Sequence, residues 1–274
     1  MINFLHTFQP NPFLISFGSI HIYWYGLFIV LGILLAILTA LKLSSYYKIK
    51  KETIIDLAFY LIIGGIIGAR IYHILLEWQY YSGHPLNIFK IWQGGLAIHG
   101  AIFAGLAIIW HFAKKYQHNP WLLIAIVAPS LALAQAIGRW GNYFNQELFG
   151  KPTSMPWGIP IDLINRPIKY INNDFFHPAF LYESIGNFLI FLILISFHIW
   201  IIKKNKFNNF CYLLSVICYL ILYSVLRFSL EFIRIDQTYI IFGLRFPQLI
   251  SLLIITLSIA FLILLKFEKH DVIK

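Results

Sequence analysis

Seven stretches of mostly apolar residues, at roughly 21–41, 54–76, 93–113, 121–138, 179–202, 211–233 and 247–266, divide this sequence. As helices, they approach the ~20 residues that cross ~30 Å of hydrocarbon. In lipid every backbone N–H and C=O needs an internal partner, and a helix supplies one within its own segment. The pattern therefore predicts an all-α, polytopic membrane protein with seven transmembrane helices. Of 274 residues, 59% are hydrophobic and only 12% charged, which leaves too little polar surface for a soluble core of this size. The sequence shows neither an internal repeat nor a linker between independent parts, so one membrane-embedded domain over residues 1–274 is expected.

Lysines set the orientation. Lys42, Lys48, Lys50 and Lys51 follow the first span, Lys114 and Lys115 the third, and Lys203, Lys204 and Lys206 the fifth. Lys266, Lys269 and Lys274 follow the seventh. With seven spans all four groups fall on one side, and the positive-inside rule makes that side the cytoplasm. The N-terminus is then outside and the C-terminus cytoplasmic. The formal charge of +10 does not point to nucleic acid, because these lysines sit in short loops where anionic bilayer lipid is the nearer partner. The first apolar run, preceded by Met1-Ile-Asn-Phe-Leu-His, lacks a basic leader and is too long for a signal-peptide core, so it is expected to remain in the mature protein. Cys211 and Cys218 are seven apart in the sixth span, share a helix face and cannot reach one another.

The arginines are distributed differently. All six, Arg70, Arg139, Arg166, Arg227, Arg234 and Arg245, lie within spans or on the predicted outer side. A planar fork of donors suits bidentate recognition of phosphate or carboxylate, and a guanidinium at membrane depth must be paired, wetted or poised for an anionic ligand. For Arg166 and Arg245, unspecific contact with lipid head groups is an equal reading. The segment Gly138-Arg-Trp-Gly-Asn-Tyr-Phe-Asn-Gln-Glu147 places Arg139, Asn142, Asn145 and Glu147 directly after an apolar run. In the sixth span Tyr223, Arg227, Glu231 and Arg234 are spaced to share one helix face, so that Glu231 neutralises one arginine and orients the other. A purely structural ion-pair ladder is the competing reading.

The third span opens with Trp92-Gln-Gly-Gly-Leu-Ala-Ile-His99-Gly, whose paired glycines allow a tight turn and deliver His99 into the membrane. Histidine is the usual base near neutral pH, although an intramembrane histidine also serves as a hydrogen-bond partner between helices. No HExxH or comparable metal spacing occurs, so neither a metal nor another cofactor is expected. Between the fourth and fifth spans a polar stretch with Pro152, Pro156, Pro160, Pro167 and Pro178 forms an extracytoplasmic head, about 141–178, suited to guiding a protein substrate. It ends in His177-Pro-Ala-Phe-Leu-Tyr-Glu183-Ser. Glu183 there is explained by the helix macrodipole as readily as by function.

The run GRWGNYFNQELFG resembles the signature of prolipoprotein diacylglyceryl transferases, Gly-Arg-any-Gly-Asn-aromatic-any-Asn-any-Glu. Tyr23-Trp-Tyr25-Gly26, Gly68-Ala-Arg70, the GGLAIHG around His99, HPAFLYES and Arg227-Phe-Ser-Leu-Glu231-Phe-Ile-Arg234 are similar to further blocks of that family. The resemblance implies a seven-helix enzyme of the bacterial cytoplasmic membrane, with its N-terminus outside and a small periplasmic head. Its reaction moves the diacylglyceryl group of phosphatidylglycerol to the lipobox cysteine of a prolipoprotein and releases glycerol phosphate. Carried over, Arg139 and Arg227 match essential arginines, His99 the proposed base, and Tyr25, Asn142, Glu147, Tyr223 and Glu231 other important positions. Asn145, Arg234 and Arg70 complete the expected contacts to phosphatidylglycerol. The chain departs from the family at Tyr143, where phenylalanine is usual, at Gln146, where glycine is common, and at Ala101, where a second glycine is frequent.

Such a reaction breaks a carbon–oxygen bond. The attacking thiol, ordinarily with a pKa near ~8.5, needs a base or a positive field, and the departing phosphate needs fixed cations. His99 answers the first need and Arg139 with Arg227 the second. A transporter for an anionic solute would use the same arginines, but no inverted repeat is visible. An intramembrane protease would need a GxSxG segment or paired aspartates, which the spans lack.

Overall fold

The structure is a computed structural model that describes residues 2–18 and 20–271, with side chains except at residues 2, 3, 20 and 266–271. Met1 and Lys274 thus lie outside the described residues, and Lys266 and Lys269 outside the described side chains. The chain is mostly helical: α1 (Ile2–Thr7), α2 (Trp24–Tyr46), α3 (Lys51–Leu76), α4 (Trp78–Gly83), α5 (Ile98–Lys115), α6 (Pro120–Phe144), α7 (Ala179–Lys203), α8 (Asn209–Leu230) and α9 (Phe246–Asp271). Among the described residues three antiparallel two-stranded pieces accompany the helices: β1 (Phe13–Phe17) with β2 (Ile20–Tyr23), β3 (Ile159–Pro160) with β4 (Phe175–Phe176), and β5 (Ile240–Ile241) with β6 (Leu244–Arg245). Among the described residues six helices, α2, α3, α6, α7, α8 and α9, are long and apolar enough to cross a membrane. The chain is a polytopic membrane protein.

Helix ends differ from the sequence reading for local reasons. The first span starts at Trp24 because residues 13–17 pair antiparallel with residues 20–23, with Ser16 opposite His21. The third helix starts only at Ile98, since Gly94 and Gly95 take left-handed φ of 90° and 72° and hold the preceding chain in a turn. It has 18 residues, with His99 in its first turn and Lys114 and Lys115 in its last. The fourth helix runs on to Phe144, so the polar motif continues the helix rather than following it.

The chain falls into two compact units, Met1–Ala36 with Ala128–Lys274, and Ile37–Val127. In the first, α7 packs on α8 and α8 on α9. Ala128, Ala132, Ile190, Leu194 and Tyr219 form a buried cluster between α6, α7 and α8. The head has its own core of Leu5, Tyr143, Phe149, Ile159, Ile161, Phe176 and Phe180. There His6 stacks on Phe175 with ring centroids 3.8 Å apart and shares a 3.0 Å hydrogen bond with the Gly158 carbonyl. In the second unit α3 packs on α5 along small residues. A Cβ on Gly68 would meet Ala104 and the Gly100 backbone, and one on Gly100 would meet the Gly68 carbonyl, so the helices approach to backbone contact.

Candidate active site

Because α6 stays helical through its polar end, Arg139 and Asn142 lie one turn apart on the same face. Gly141 beside them has no room for a side chain, as the ring and Cα of Tyr25 occupy that space. The start of α2 therefore presses its tyrosine directly against the motif. Arg139 Nη1 donates to Asn142 Oδ1 at 3.3 Å, and Asn142 Nδ2 donates to Glu147 Oε1 at 2.7 Å. Asn145 Nδ2 reaches the same carboxylate oxygen at 3.4 Å. Tyr25 lies within electrostatic reach of both Glu147 and Arg139.

The second half of the site converges on Glu183, near the start of α7. Its Oε1 is 2.6 Å from Arg139 Nη2, and its Oε2 is 4.0 Å from Arg227 Nη1 and 3.6 Å from Arg234 Nη1. Glu231, which caps α8, holds Arg227 Nη2 at 2.6 Å through Oε1 and Arg245 Nε at 2.5 Å through Oε2. Asp236 completes the set, 2.7 Å from Arg234 Nε and 3.5 Å from Arg245 Nη2. The contacts of Arg139 to Glu183 and of Arg227 to Glu231 are close ion pairs off the line of a directed hydrogen bond, since among the described residues Glu183 Oε1 and Glu231 Oε1 have no hydrogen-bond partner. Tyr223 is within electrostatic reach of Glu183, Arg139, Arg227 and Arg234.

Four guanidinium groups thus meet three carboxylates directly, with Glu147 a fourth reached through Asn142. Burial divides them by role. The Glu183 and Glu231 side chains are 3% and 0% exposed, whereas those of Arg139 and Arg227 keep 24% and 20%. The carboxylates brace the arginines from within, and Arg139 and Arg227 retain accessible surface. Buried ion pairs seldom repay their desolvation, which costs several kcal/mol per ion, so stability alone is a poor reason for this cluster. A fixed, partly dry pair of guanidiniums is suited to an anion that gains charge during a reaction.

Around the cluster the backbone is stitched across three segments. Gly150 N donates to the His177 carbonyl at 2.9 Å, and Lys151 N to the Ile233 carbonyl at 2.7 Å. Gly150 also pairs with Arg234 as an isolated bridge, and a Cβ there would strike His177. The chain after Glu147 is thereby held between the entry to α7 and the exit from α8. Trp157 Nε1 donates to Tyr182 Oη at 2.7 Å, and that hydroxyl lies 3.2 Å from His177 Nδ1. Burial, with Lys151 adding to it, holds the His177 imidazole below its ordinary range.

The remaining candidates, Arg70 and His99, belong to the second unit. Arg70 is 7% exposed, and its guanidinium donates to backbone carbonyls: Nε to Ile88 at 2.9 Å, Nη1 to Gly94 and Gly95 at 2.7 and 3.0 Å, and Nη2 to Asn87 at 2.5 Å. Its charge centre also lies 5.1 Å from the Tyr81 ring centroid. With these donors Arg70 clamps residues 84–97. The left-handed glycines are what turn two of those carbonyls toward it. His99 is exposed at the start of α5, its ring centroid 5.9 Å from that of Tyr72.

The sequence reading left Arg245 and Glu183 undecided and passed over Asp236 altogether. Arg245 joins the cluster because Phe242 and Gly243 take left-handed φ of 53° and 76°, a tight reversal that pairs Ile240 with Arg245 and returns the chain to Glu231. Asp236 is outweighed toward the ionised form: burial raises its pKa, but the hydrogen bond and charge of Arg234 and the charge of Arg245 lower it further. Arg166 has a different fate, donating to the Ile161 and Ile171 carbonyls at 2.7 and 3.0 Å and pairing with Asp174 at 3.0 Å within the head.

Residues 12–264 match the family described as prolipoprotein diacylglyceryl transferase. Among similar curated proteins is the phosphatidylglycerol–prolipoprotein diacylglyceryl transferase of Synechococcus elongatus, 41% identical over 271 residues, covering 97% of this chain and 92% of that one. The protein of the same name from Acaryochloris marina is 41% identical over 266 residues, covering 96% and 94% respectively. That of Trichormus variabilis is 41% identical over 267 residues, covering 97% and 93%.

Proposed function

The chain belongs to the prolipoprotein diacylglyceryl transferase family, and on that premise we propose how its residues carry out the transfer. The protein moves the diacylglyceryl group of phosphatidylglycerol to the thiol of a prolipoprotein's lipobox cysteine, the first step of bacterial lipoprotein maturation. The cysteine sulfur bonds to the terminal glyceryl carbon of the lipid, the carbon–oxygen bond to phosphate breaks, and glycerol phosphate leaves with that oxygen and its electron pair. Arg139 and Arg227 grip the phosphate as its charge rises, with Glu183 and Glu231 holding them in register. Tyr25, Asn142, Asn145, Glu147, Tyr223 and Arg234 line the lipid head-group site. His99 takes the thiol proton. A thiol activated by the arginines' positive field alone is the competing account; full rate in His99→Gln between pH 6 and 8 would favour it.

We place α5 as the seventh span beside the six longer helices, with the N-terminus outside, the lysine-rich loops and C-terminus in the cytoplasm, and the head facing outward. A single membrane-embedded catalytic domain would span the chain, in the cytoplasmic membrane. Phosphatidylglycerol enters sideways with its acyl chains still in lipid.

The observation that carries this reading is that Arg139 and Arg227 share the buried Glu183 while keeping accessible surface. Purified Arg139→Ala or Arg227→Ala in phosphatidylglycerol vesicles, assayed with a lipobox peptide, should lose about 10²–10³ in kcat, the usual cost of one preorganised donor. A folded variant with wild-type turnover would remove these arginines from the chemistry.

A further inference from the structure

We propose that Gln146 is a positioning residue: it latches the head to the polar motif and thereby aims Glu147. The inference rests on the reading of Glu147 as a site residue.

Glu147 stands between two residues in an uncommon conformation. Gln146 has φ 49° and Leu148 φ 56°, the left-handed region that non-glycine residues enter at a cost of about 1–2 kcal/mol each. Such a conformation persists only where its surroundings dictate it. For Gln146 the dictating contacts are visible, because its side chain is 5% exposed and both ends of its amide are engaged. Nε2 donates to the Pro10 carbonyl at 3.0 Å and to Asp162 Oδ2 at 2.7 Å. Oε1 accepts from the Asp162 backbone N–H at 2.6 Å and from Asn165 Nδ2 at 3.4 Å. One side chain thus joins the N-terminal segment, the first turn of the head loop and the end of α6.

The consequence for Glu147 follows from connectivity. Its backbone N–H donates to the Asn142 carbonyl at 3.0 Å, and its carboxylate, though on an exposed residue, is met by Asn142 and Asn145. Those contacts require the chain to double back within two residues of Asn145, and the left-handed step at Gln146 makes that reversal. Without the latch, residue 146 gains by relaxing toward a right-handed φ, and the carboxylate swings away from Asn142 and hence from Arg139. A displacement of about 1 Å at a reacting centre costs up to ~10²-fold in rate.

The test compares Gln146→Gly with Gln146→Ala in the full-length protein in phosphatidylglycerol vesicles. Glycine removes the latch and the strain together, whereas alanine removes the latch alone. Gln146→Ala should lower kcat by about 10- to 100-fold with little change in KM for phosphatidylglycerol, while Gln146→Gly should stay near the wild-type rate and melt above Ala, because a positive φ costs glycine nothing. Asp162→Asn, which keeps an acceptor for Gln146, should stay near wild type, and Asp162→Ala, which removes one of the four bonds, should fall between wild type and Gln146→Ala. Hydrogen exchange at the Asp162 amide should quicken in both Gln146 variants. Wild-type kcat in Gln146→Ala, or unchanged exchange at Asp162, would overturn the proposal. Glu147→Gln run alongside tells the two failures apart: wild-type rate there removes Glu147 from the site, and a latch that still loosens then positions nothing in the reaction.

Discussion

Arg70 and Arg227 are both guanidiniums on apolar helices, yet the two units use them in opposite ways. Arg70 gives its donors to main-chain carbonyls of one loop and is almost wholly covered. Arg227 is held by carboxylates from α7 and the end of α8, and keeps a fifth of its side chain open. Depth in the membrane demands a partner in either case, but the kind of partner decides what is left over. Carbonyls that consume a guanidinium fix a loop. Carboxylates that brace it from one side leave a charge to present.

That contrast can be broken most forcefully at Glu183. Glu183→Gln removes a buried anion from three arginines, and should cost about 3–5 kcal/mol in unfolding free energy as well as nearly all transfer activity; a loss confined to activity would mean the network is no brace. Arg70→Met orphans a set of loop carbonyls, at about 1–3 kcal/mol for each one left buried and dry. Limited proteolysis should then cut within residues 84–97, and turnover at low temperature should recover as the loop closes. An Arg70→Met protein of unchanged melting temperature but no activity would move Arg70 back toward the substrate.

Acid should separate the units further. Asp236 is held below its ordinary carboxylate range by Arg234 and Arg245 despite its burial, so its folded pKa is depressed. Its contribution is therefore fully present above the unfolded value of 3.8 and fades as pH falls through the lower folded value. Melting curves between pH 5 and 3 should show that loss, and Asp236→Asn should lessen it. Amide exchange in the Arg70-clamped loop, whose acceptors do not titrate, should not follow it. The smallest effect is expected at Tyr143, whose hydroxyl is buried in the head core and, among the described residues, has no hydrogen-bond partner. Tyr143→Phe should leave stability equal or raise it by about 1 kcal/mol; a clear destabilisation would reveal a partner for that hydroxyl.

Much of this molecule was legible because its signals are local. Helical runs of lipid-crossing length need only composition, and Gly94 and Gly95 were read as a turn from their adjacency. The pairing of Arg227 with Glu231 follows from a spacing of four on one helix. What escaped the reading is long-range. Arg245 and Glu231 meet across a hairpin, and Glu183 and Arg139 across two helices, and no spacing in the sequence encodes either contact. Arg70 is a related case: its apolar neighbours reveal its burial, but not that peptide groups some twenty residues on take up most of its donors. Gln146 stood out only as a departure from a glycine common at that position, and its left-handed backbone explains that preference.

The tight reversal at Phe242 and Gly243 bears on how this protein is made. Chains enter the membrane from the N-terminal end, so Glu231 is synthesised before the arginine that the hairpin later carries back to it. A truncated product ending at Gly243 would leave Glu231 without its closest cation and α8 without the last helix that packs on it, an instability that quality-control proteases of the membrane are suited to sense. Such fragments should be cleared quickly in cells, and persistence of one at the level of the intact protein would show that biogenesis does not wait for the last helix.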